Sequence, residues 1–419
     1  MVLKGFFNED EVRSDERPDG KVLSCPACGL YQNVLSPRME STGKGELRIL
    51  ILGEAPGEVE DRKGQQWQGK TGRLLQRTCK QMGIDLFDDC ANINSINCRP
   101  TDSKGANRKP TTHEINCCRQ RVMKVIHEIR PKVIVPLGGS AITSLLGHRW
   151  KKRLDGISKW RGWTIPDRDL GAWVCPTFHP SFVERSEKFP EVELIWKQDL
   201  KRAFDMVDVP FPKWKDEKEY VHIVTPQEAR REVRELLADD KEHWVCLDYE
   251  TTGLKPHLPI HRIVCASLAL STTHSIVWMT PSVAQTQTIL KPILTNPNVH
   301  VCAHNMKFEQ MWTKEKLEFE ITRLRWDSML AAHVIDNRNG VTGLKFQTYV
   351  NFGVVDYDSA ISSYLEGVTK SANSLNKVDQ LIERFGPEML MTYCGLDTIY
   401  GLKLTLKQRE ELQLARGEK

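Results

Sequence analysis

No run of apolar residues in this chain is long enough to cross a bilayer, which takes about 20 of them in a helix. The opening stretch, MVLKGFFNEDEVRSDERPDG, is too acidic and too poor in apolar residues for a secretory leader. A membrane partner is therefore not expected, and the cytoplasm is the expected compartment. Internal repeats and low-complexity tracts are missing as well, which sets aside solenoid and fibrous architectures. Charge of one sign is scarce, at a net +4 over 419 residues. A balance that mild permits nucleic-acid binding without arguing for it, because acidic metal ligands offset a basic groove. Disulfides are not expected in a cytosolic chain, so the twelve cysteines read as free thiols and metal ligands.

What the chain does have is length and alternation. At 419 residues it exceeds one ordinary core, and two α/β domains in series are expected. From residue 47 to 204, buried strand patterns (LRILIL, ANINSIN, KVIVPLG, VCPTF) alternate with helical ones, such as Thr71 to Met82 and HEINCCRQRVMKVIHEIR. Such alternation predicts a sheet with helices on both faces. The run DVPFPKWKDEKEY, rich in proline and charge, reads as a linker. After it the strand patterns HWVCLDYE, RIVCASLAL, HSIVWM and VHVCAH follow, and helical segments dominate from about residue 306. The expected division is an N-terminal extension over 1–24, a first domain over 25–204, a linker over 205–219 and a second domain over 220–419. Two basic clusters, Arg149, Lys151, Lys152 and Arg153 around Trp150, and Arg108 with Lys109, are candidates for phosphate contacts or solvated faces. Cys79, Cys90, Cys175, Cys246, Cys265, Cys302 and Cys394 lie in apolar or helical surroundings and read as ordinary buried residues.

The most informative stretch is residues 47–57, LRILILGEAPG, a strand ending in a stiff loop of Gly and Pro. Loops at the carboxyl ends of strands are where open α/β sheets build their sites. Upstream lies Cys25-Pro-Ala-Cys28, and Cys98 and Cys118 follow. Four thiolates in this order hold a tetrahedral zinc or a cubane iron–sulfur cluster equally well, and ligand type alone does not choose. GEAPG continues through Glu60, Asp61, Gly64, Gly69 and Gly72, and Asn94-Ser-Ile-Asn-Cys-Arg-Pro100 and Thr177-Phe-His-Pro-Ser181 complete the pattern. Together these motifs resemble the iron–sulfur uracil-DNA glycosylases, family four, over residues 25 to about 204. The resemblance implies a uracil-DNA-glycosylase-like α/β/α sandwich and a [4Fe–4S] cluster on Cys25, Cys28, Cys98 and Cys118, with Cys117 the competitor for the last position.

That likeness also implies a chemistry for the other residues. A flipped uracil would stack on Trp67 and pair with Asn94, which can donate to O4 and accept from N3–H. His179 would donate to the uracil O2 as charge collects there. Glu54 or Glu60 would position water or stabilise the cationic sugar, and Ser181 and Arg185 would contact DNA. This chain departs from the family in carrying Gln66-Trp67 in place of the usual Pro-Phe. Ala55 also stands where better-known glycosylases carry a carboxylate, so water activation is weaker or falls to Glu54. No Arg- and His-rich insertion of the branch that traps abasic DNA is present, so covalent capture is not expected.

In the second half, Asp248-Tyr-Glu250 ends a buried strand, and carboxylates two apart on a strand share a face, which suits hard divalent ions. His304-Asn-Met-Lys-Phe-Glu309 and Tyr393-Cys-Gly-Leu-Asp397 follow, the last pair on one helix face. The set resembles the DEDD 3′→5′ exonucleases of the tyrosine-bearing kind that accompanies family A DNA polymerases, over residues 220 to 412. The resemblance implies a ribonuclease H-like α/β fold and two Mg²⁺ (or Mn²⁺) on Asp248, Glu250, Glu309 and Asp397, with Tyr393 orienting the water. Glu309 stands where that family usually has Asp, and Asp327 is an outside candidate to compensate. A bifunctional enzyme acting on uracil-containing DNA, single- or double-stranded, is expected. The chain ends at Lys419 with no polymerase following, so a separate polymerase chain is a candidate partner and a bacterial or phage-infected cell a candidate setting. In the alternative reading, the glycosylase-like half senses uracil or tethers DNA or a polymerase for the exonuclease, with little catalysis of its own.

Overall fold

The computed structural model describes residues 25–150 and 153–415. The expected extension 1–24 and two members of the first basic cluster, Lys151 and Lys152, lie outside the described residues. The chain divides into two compact units between Pro212 and Lys213, with Tyr349–Val355 counted in the first. The linker run therefore holds the division, whereas the return of seven residues to the first unit was not legible in the sequence.

The first unit is built on a five-stranded sheet of β1 (Ile49–Gly53), β2 (Cys90–Asn94), β3 (Val133–Pro136), β4 (Ile165–Asp167) and β5 (Ala172–Val174), in the order β2-β1-β3-β5-β4. All neighbours are parallel except β4 and β5. Every residue of β1, β2 and β3 is buried, as expected of parallel strands covered on both faces. Ile49 and Ile51 pack with the helices Lys70–Gln81 and Pro190–Asp205, and Leu50 and Leu52 are equally buried on the other face. The helix Thr111 introduces, Thr112–Ile129, starts where a capping box forms: the Thr111 side chain accepts from the Glu114 N–H and Glu114 accepts from the Thr111 N–H.

Both basic clusters change meaning in this setting. Arg149 is buried and donates two hydrogen bonds to Asp167, at 3.0 and 2.7 Å, while Tyr349 donates to the same carboxylate at 2.7 Å. It is therefore a structural cation, not a phosphate contact. Arg108 likewise forks onto Glu114 at 2.9 and 2.5 Å and donates to the Thr101 carbonyl. Removing one partner of a buried pair strands the other charge. We expect Arg149→Met to lower the stability of the first unit by about 3–5 kcal/mol, read as a lower denaturant midpoint. An unchanged midpoint would show that Asp167 is protonated in the native protein.

The second unit carries a six-stranded sheet of β6 (Val221–Ile223), β7 (His243–Thr251), β8 (Ile263–Ser271), β9 (His274–Met279), β10 (Val299–Ala303) and β11 (Leu324–Asp327), in the order β11-β10-β7-β8-β9-β6. The meander β7-β8-β9 is antiparallel and β10 and β11 add in parallel beside β7, the ribonuclease H-like arrangement expected. One face of β7, with Val245, Leu247 and Tyr249, packs against the helices Pro226–Leu236, Val283–Leu294 and Lys307–Leu317. Alternation puts Cys246, Asp248 and Glu250 on the other face, which the long helix Glu388–Ala415 covers. That helix comes close because Gly401 carries no side chain: a Cβ there would stand 2.6 Å from the Cys246 sulfur.

Candidate active sites

In the first unit, the loops leaving the carboxyl ends of the parallel strands surround a cavity of about 830 Å³, lined among others by Glu54, Trp67, Asn94, His179, Ser181 and Arg185. Trp67 holds a left-handed backbone (φ 62°), unusual for a bulky residue. Its carbonyl accepts from Gln76 at 2.7 Å, and its backbone lies against Gly72, where a Cβ would meet the Trp67 carbonyl oxygen at 2.1 Å. A Cβ on Gly53 would stand 2.2 Å from Asn94 Oδ1 and 2.9 Å from the Trp67 ring. Both glycines are thus demanded by the approach of the indole and amide. Asn94, at the end of β2, is 4% exposed and its amide makes no hydrogen bond among the described residues.

His179 precedes the short helix Pro180–Arg185, and its Nδ1 accepts from the Ser181 backbone N–H at 3.2 Å. An accepting Nδ1 carries no proton, so the neutral ring holds its proton on Nε2. Burial holds its pKa below the ordinary histidine value; Glu54 opposes this and Arg185 adds to it. The Trp67 and His179 rings lie 5.9 Å apart. Glu54 accepts from the Ser140 hydroxyl at 2.8 Å, which fixes its carboxylate at the cavity. Glu60 corrects an expectation. Its two oxygens accept from the Gly69 N–H at 2.6 Å and the Gly57 N–H at 3.2 Å, so it clamps two loops together and is not available to water or sugar. Arg185 has no hydrogen-bond partner among the described residues. Phe182, which sequence reasoning passed over, is a 41% exposed aromatic beside His179 at the cavity.

The four cysteines come together. Cys118 feels the charges of Cys25, Cys28 and Cys98 and receives the Asn97 N–H, and the Arg38 N–H points at the Cys98 sulfur at 3.2 Å. Burial pushes Cys118 up to about 12 and raises Cys98. The competitor Cys117 turns elsewhere, with its sulfur 3.7 Å from His113 Nε2.

In the second unit, Asp248, Glu250, Glu309 and Asp397 gather beside the helix that also carries Tyr393. Glu250 and Asp397 are each 9% exposed and Glu309 is 3% exposed. One Glu309 oxygen is buried without a partner. Burial, then Asp397, push Asp248 up to about 7; burial and Asp248 raise Glu250 and Glu309. Burial and Asp397 also raise Tyr393, which therefore stays a neutral phenol. Asp327 does not compensate for Glu309. Its oxygens accept from the N–H groups of Asn305, Met306, Met329 and Leu330, capping the helix Ser328–Ile335. Two residues were missed. Tyr357 donates to Asp397 at 2.6 Å, and Lys345 pairs with Asp397 while its Nζ lies 3.9 and 4.1 Å over the rings of Tyr357 and Tyr393. Nothing in their local sequence separates them from helix-start and turn residues.

These geometries agree with what known proteins show. Residues 40–201 match the uracil DNA glycosylase superfamily, and residues 221–413 match a 3′-5′ exonuclease family. A type-4 uracil-DNA glycosylase of Thermotoga maritima is 34% identical over 44% of this chain and 89% of its own length. One from Sulfurisphaera tokodaii is 30% identical over 46% of this chain and 86% of its own. A DNA polymerase of Bacillus phage SP01 is 25% identical over 72% of this chain, which spans 34% of that protein. No helix among the described residues is long and apolar enough to cross a membrane. The chain belongs, in its first unit, to the type-4 uracil-DNA glycosylases and carries in its second a 3′-5′ exonuclease domain.

Proposed function

We propose that the chain is a bifunctional DNA-processing enzyme that excises uracil in its first unit and removes nucleotides from 3′ ends in its second. The observation that carries the first activity is the neutral His179, its Nε2–H free to donate, in one cavity with Asn94 and Trp67. Flipping a uracil costs a few kcal/mol, offset by stacking on Trp67 and by the unpartnered Asn94 amide, which discriminates against cytosine. His179 stabilises the charge developing on O2, and Glu54, held by Ser140, faces the sugar or water. Glu60 is a positioning residue. Arg185 and Ser181 take the DNA backbone, and Phe182 fills the gap the base leaves.

The cysteine set fits a cluster. Among the described residues the one group of three or more metal-capable side chains with ligand atoms within 4.8 Å of one another is elsewhere. Four thiolates on one zinc would sit about 3.8 Å apart, given Zn–S bonds near 2.3 Å. The wider cysteine set suits a [4Fe–4S] cubane on Cys25, Cys28, Cys98 and Cys118, with the Arg38 and Asn97 N–H groups tuning it.

In the second unit Asp248, Glu250, Glu309 and Asp397 would hold two Mg²⁺ or Mn²⁺, for which the repelling buried carboxylates and the orphaned Glu309 oxygen are suited. Such ions supply positive charge to the attacking and leaving oxygens of phosphodiester hydrolysis. Tyr393, kept protonated, orients the water. A separate polymerase chain that this exonuclease serves remains part of the proposal.

The test is a time course on a 5′-labelled oligonucleotide with one internal uracil, in EDTA, followed by hot alkali. A single break at the uracil is expected, and Asn94→Ala should slow it by about 10–100-fold, the worth of 1–3 kcal/mol of base pairing, with Mg²⁺-dependent shortening intact. No break from a protein with cluster absorbance would leave the first unit a tethering module.

A further inference from the structure

Cys394 is the residue between Tyr393 and the rest of the metal-facing helix, and the two-metal chemistry has no use for it. Its thiol is fully buried and donates to Asp248 Oδ2 at 3.4 Å. The ligand atoms of Asp248, Glu250 and Cys394 all lie within 4.8 Å of one another, alone in this among the described residues. Glu250 is nine-tenths buried and has no hydrogen-bond partner among the described residues, so a buried carboxylate points into this set unsatisfied. A second thiol, Cys265, lies opposite Glu250 on β8 and hydrogen-bonds with Cys394.

Two oxygens and a sulfur are an unsuitable cage for Mg²⁺, which takes oxygen in near-octahedral geometry. They suit ions that accept thiolate, with zinc and cobalt foremost. Bonds of about 2.3 Å to sulfur and 2.1 Å to oxygen at a tetrahedral angle separate the two donors by about 3.6 Å, close to the 3.4 Å between Cys394 Sγ and Asp248 Oδ2.

We propose that Asp248, Glu250 and Cys394 form a site for a thiophilic divalent cation, zinc by preference, whose occupation shuts off the exonuclease. The inference rests on the two-metal reading of this centre. On binding, the thiol proton leaves to solvent, a sulfur–metal bond forms, and no electron is transferred. The bound ion takes two of the carboxylates that Mg²⁺ needs and holds them in a closed geometry. A thiol that reads in the sequence as ordinary core thereby becomes a metal-selective brake on the second activity.

The test uses the full-length, cluster-loaded protein and a 5′-labelled single strand without uracil, in millimolar Mg²⁺ with zinc chloride titrated in. Inhibition is read against each protein's own zinc-free rate. The wild type should be stopped by zinc far below the Mg²⁺ concentration, and Cys394→Ala and Cys394→Ser should each need at least about tenfold more. Separately, cobalt(II) alone is added, and the spectrum of the variant is subtracted from that of the wild type. A thiolate-to-cobalt charge-transfer band in the difference is expected, since cobalt at the other cysteines is common to both and cancels. Equal zinc sensitivity, or a difference spectrum without that band, overturns the site. A zinc-free protein that never shortens DNA with Mg²⁺ would instead fault the exonuclease reading, and the cobalt band would still decide the site.

Discussion

Asp248→Asn should reduce Mg²⁺-dependent shortening of a 3′ end by about a thousandfold or more, while uracil excision in EDTA is unchanged. The size follows from the several kcal/mol of charge stabilisation that a metal centre supplies, at 1.36 kcal/mol per factor of ten. The same variant separates a metal role from a structural one. Burial and Asp397 already disfavour the Asp248 carboxylate, which is pushed up to about 7. Asparagine keeps the shape, still accepts from Cys394, and removes repulsion within the acidic group. The metal-free melting temperature should therefore stay level or rise, although activity is lost. A fall in melting temperature that accounts for the lost activity would make Asp248 a structural residue and sink the assignment. Mg²⁺ gives a second readout: it should raise the melting temperature of the wild type and leave that of the variant nearly unmoved, by mass action on the folded state.

The strands most fully buried were the ones legible in the sequence. LRILIL, KVIVPLG and HWVCLDYE are continuous apolar runs because parallel or central strands are covered on both faces. The short strands β4, β6 and β11 were missed: ITRLRWD and YVHIV are too brief and mixed for a period of two to show. The helix patterns were located to within a residue or so, the expected Thr71–Met82 appearing as Lys70–Gln81. For the sites, residue types at strand ends were readable and side-chain partners were not. Glu54 and Glu60 look alike in sequence; only the backbone N–H groups of Gly57 and Gly69, brought in by folding, commit Glu60 to a clamp. Asp327 shows the same lesson, its oxygens taken by four backbone donors. Arg149 looked like a surface cation because charge in a sequence carries no depth, and its partner Asp167 lies on a strand the periodicity did not reveal. Lys345 and Tyr357 converge on Asp397 from segments about 40 to 50 residues upstream, a distance no local pattern bridges.

His179→Ala should cost uracil excision about 10²–10³-fold, the usual loss on deleting one donor aimed at a developing oxyanion, with exonuclease activity as the internal check that the protein is folded. Loss of the ring removes the Nε2–H from the cavity and leaves the Ser181 N–H without its acceptor. His179→Gln, with an amide donor of similar reach, should recover part of the rate, which a purely structural role would not give. The pH profile supplies an independent sign. Burial sets the folded pKa of His179 below the ordinary value of about 6.5, and protonating Nδ1 would turn an acceptor toward the Ser181 N–H that now donates to it. Arg185 works in the same direction, and only Glu54 resists. The ring thus remains neutral with its proton on Nε2 as pH falls through 6.5, where an exposed histidine would already be half charged. Single-turnover excision should accordingly stay level from pH 8 through that range and change only at lower pH. A rate that bends near 6.5 in the wild type and not in His179→Ala would mean the imidazole titrates freely. In that case the neutral donor, and the discrimination built on it, would have to be abandoned.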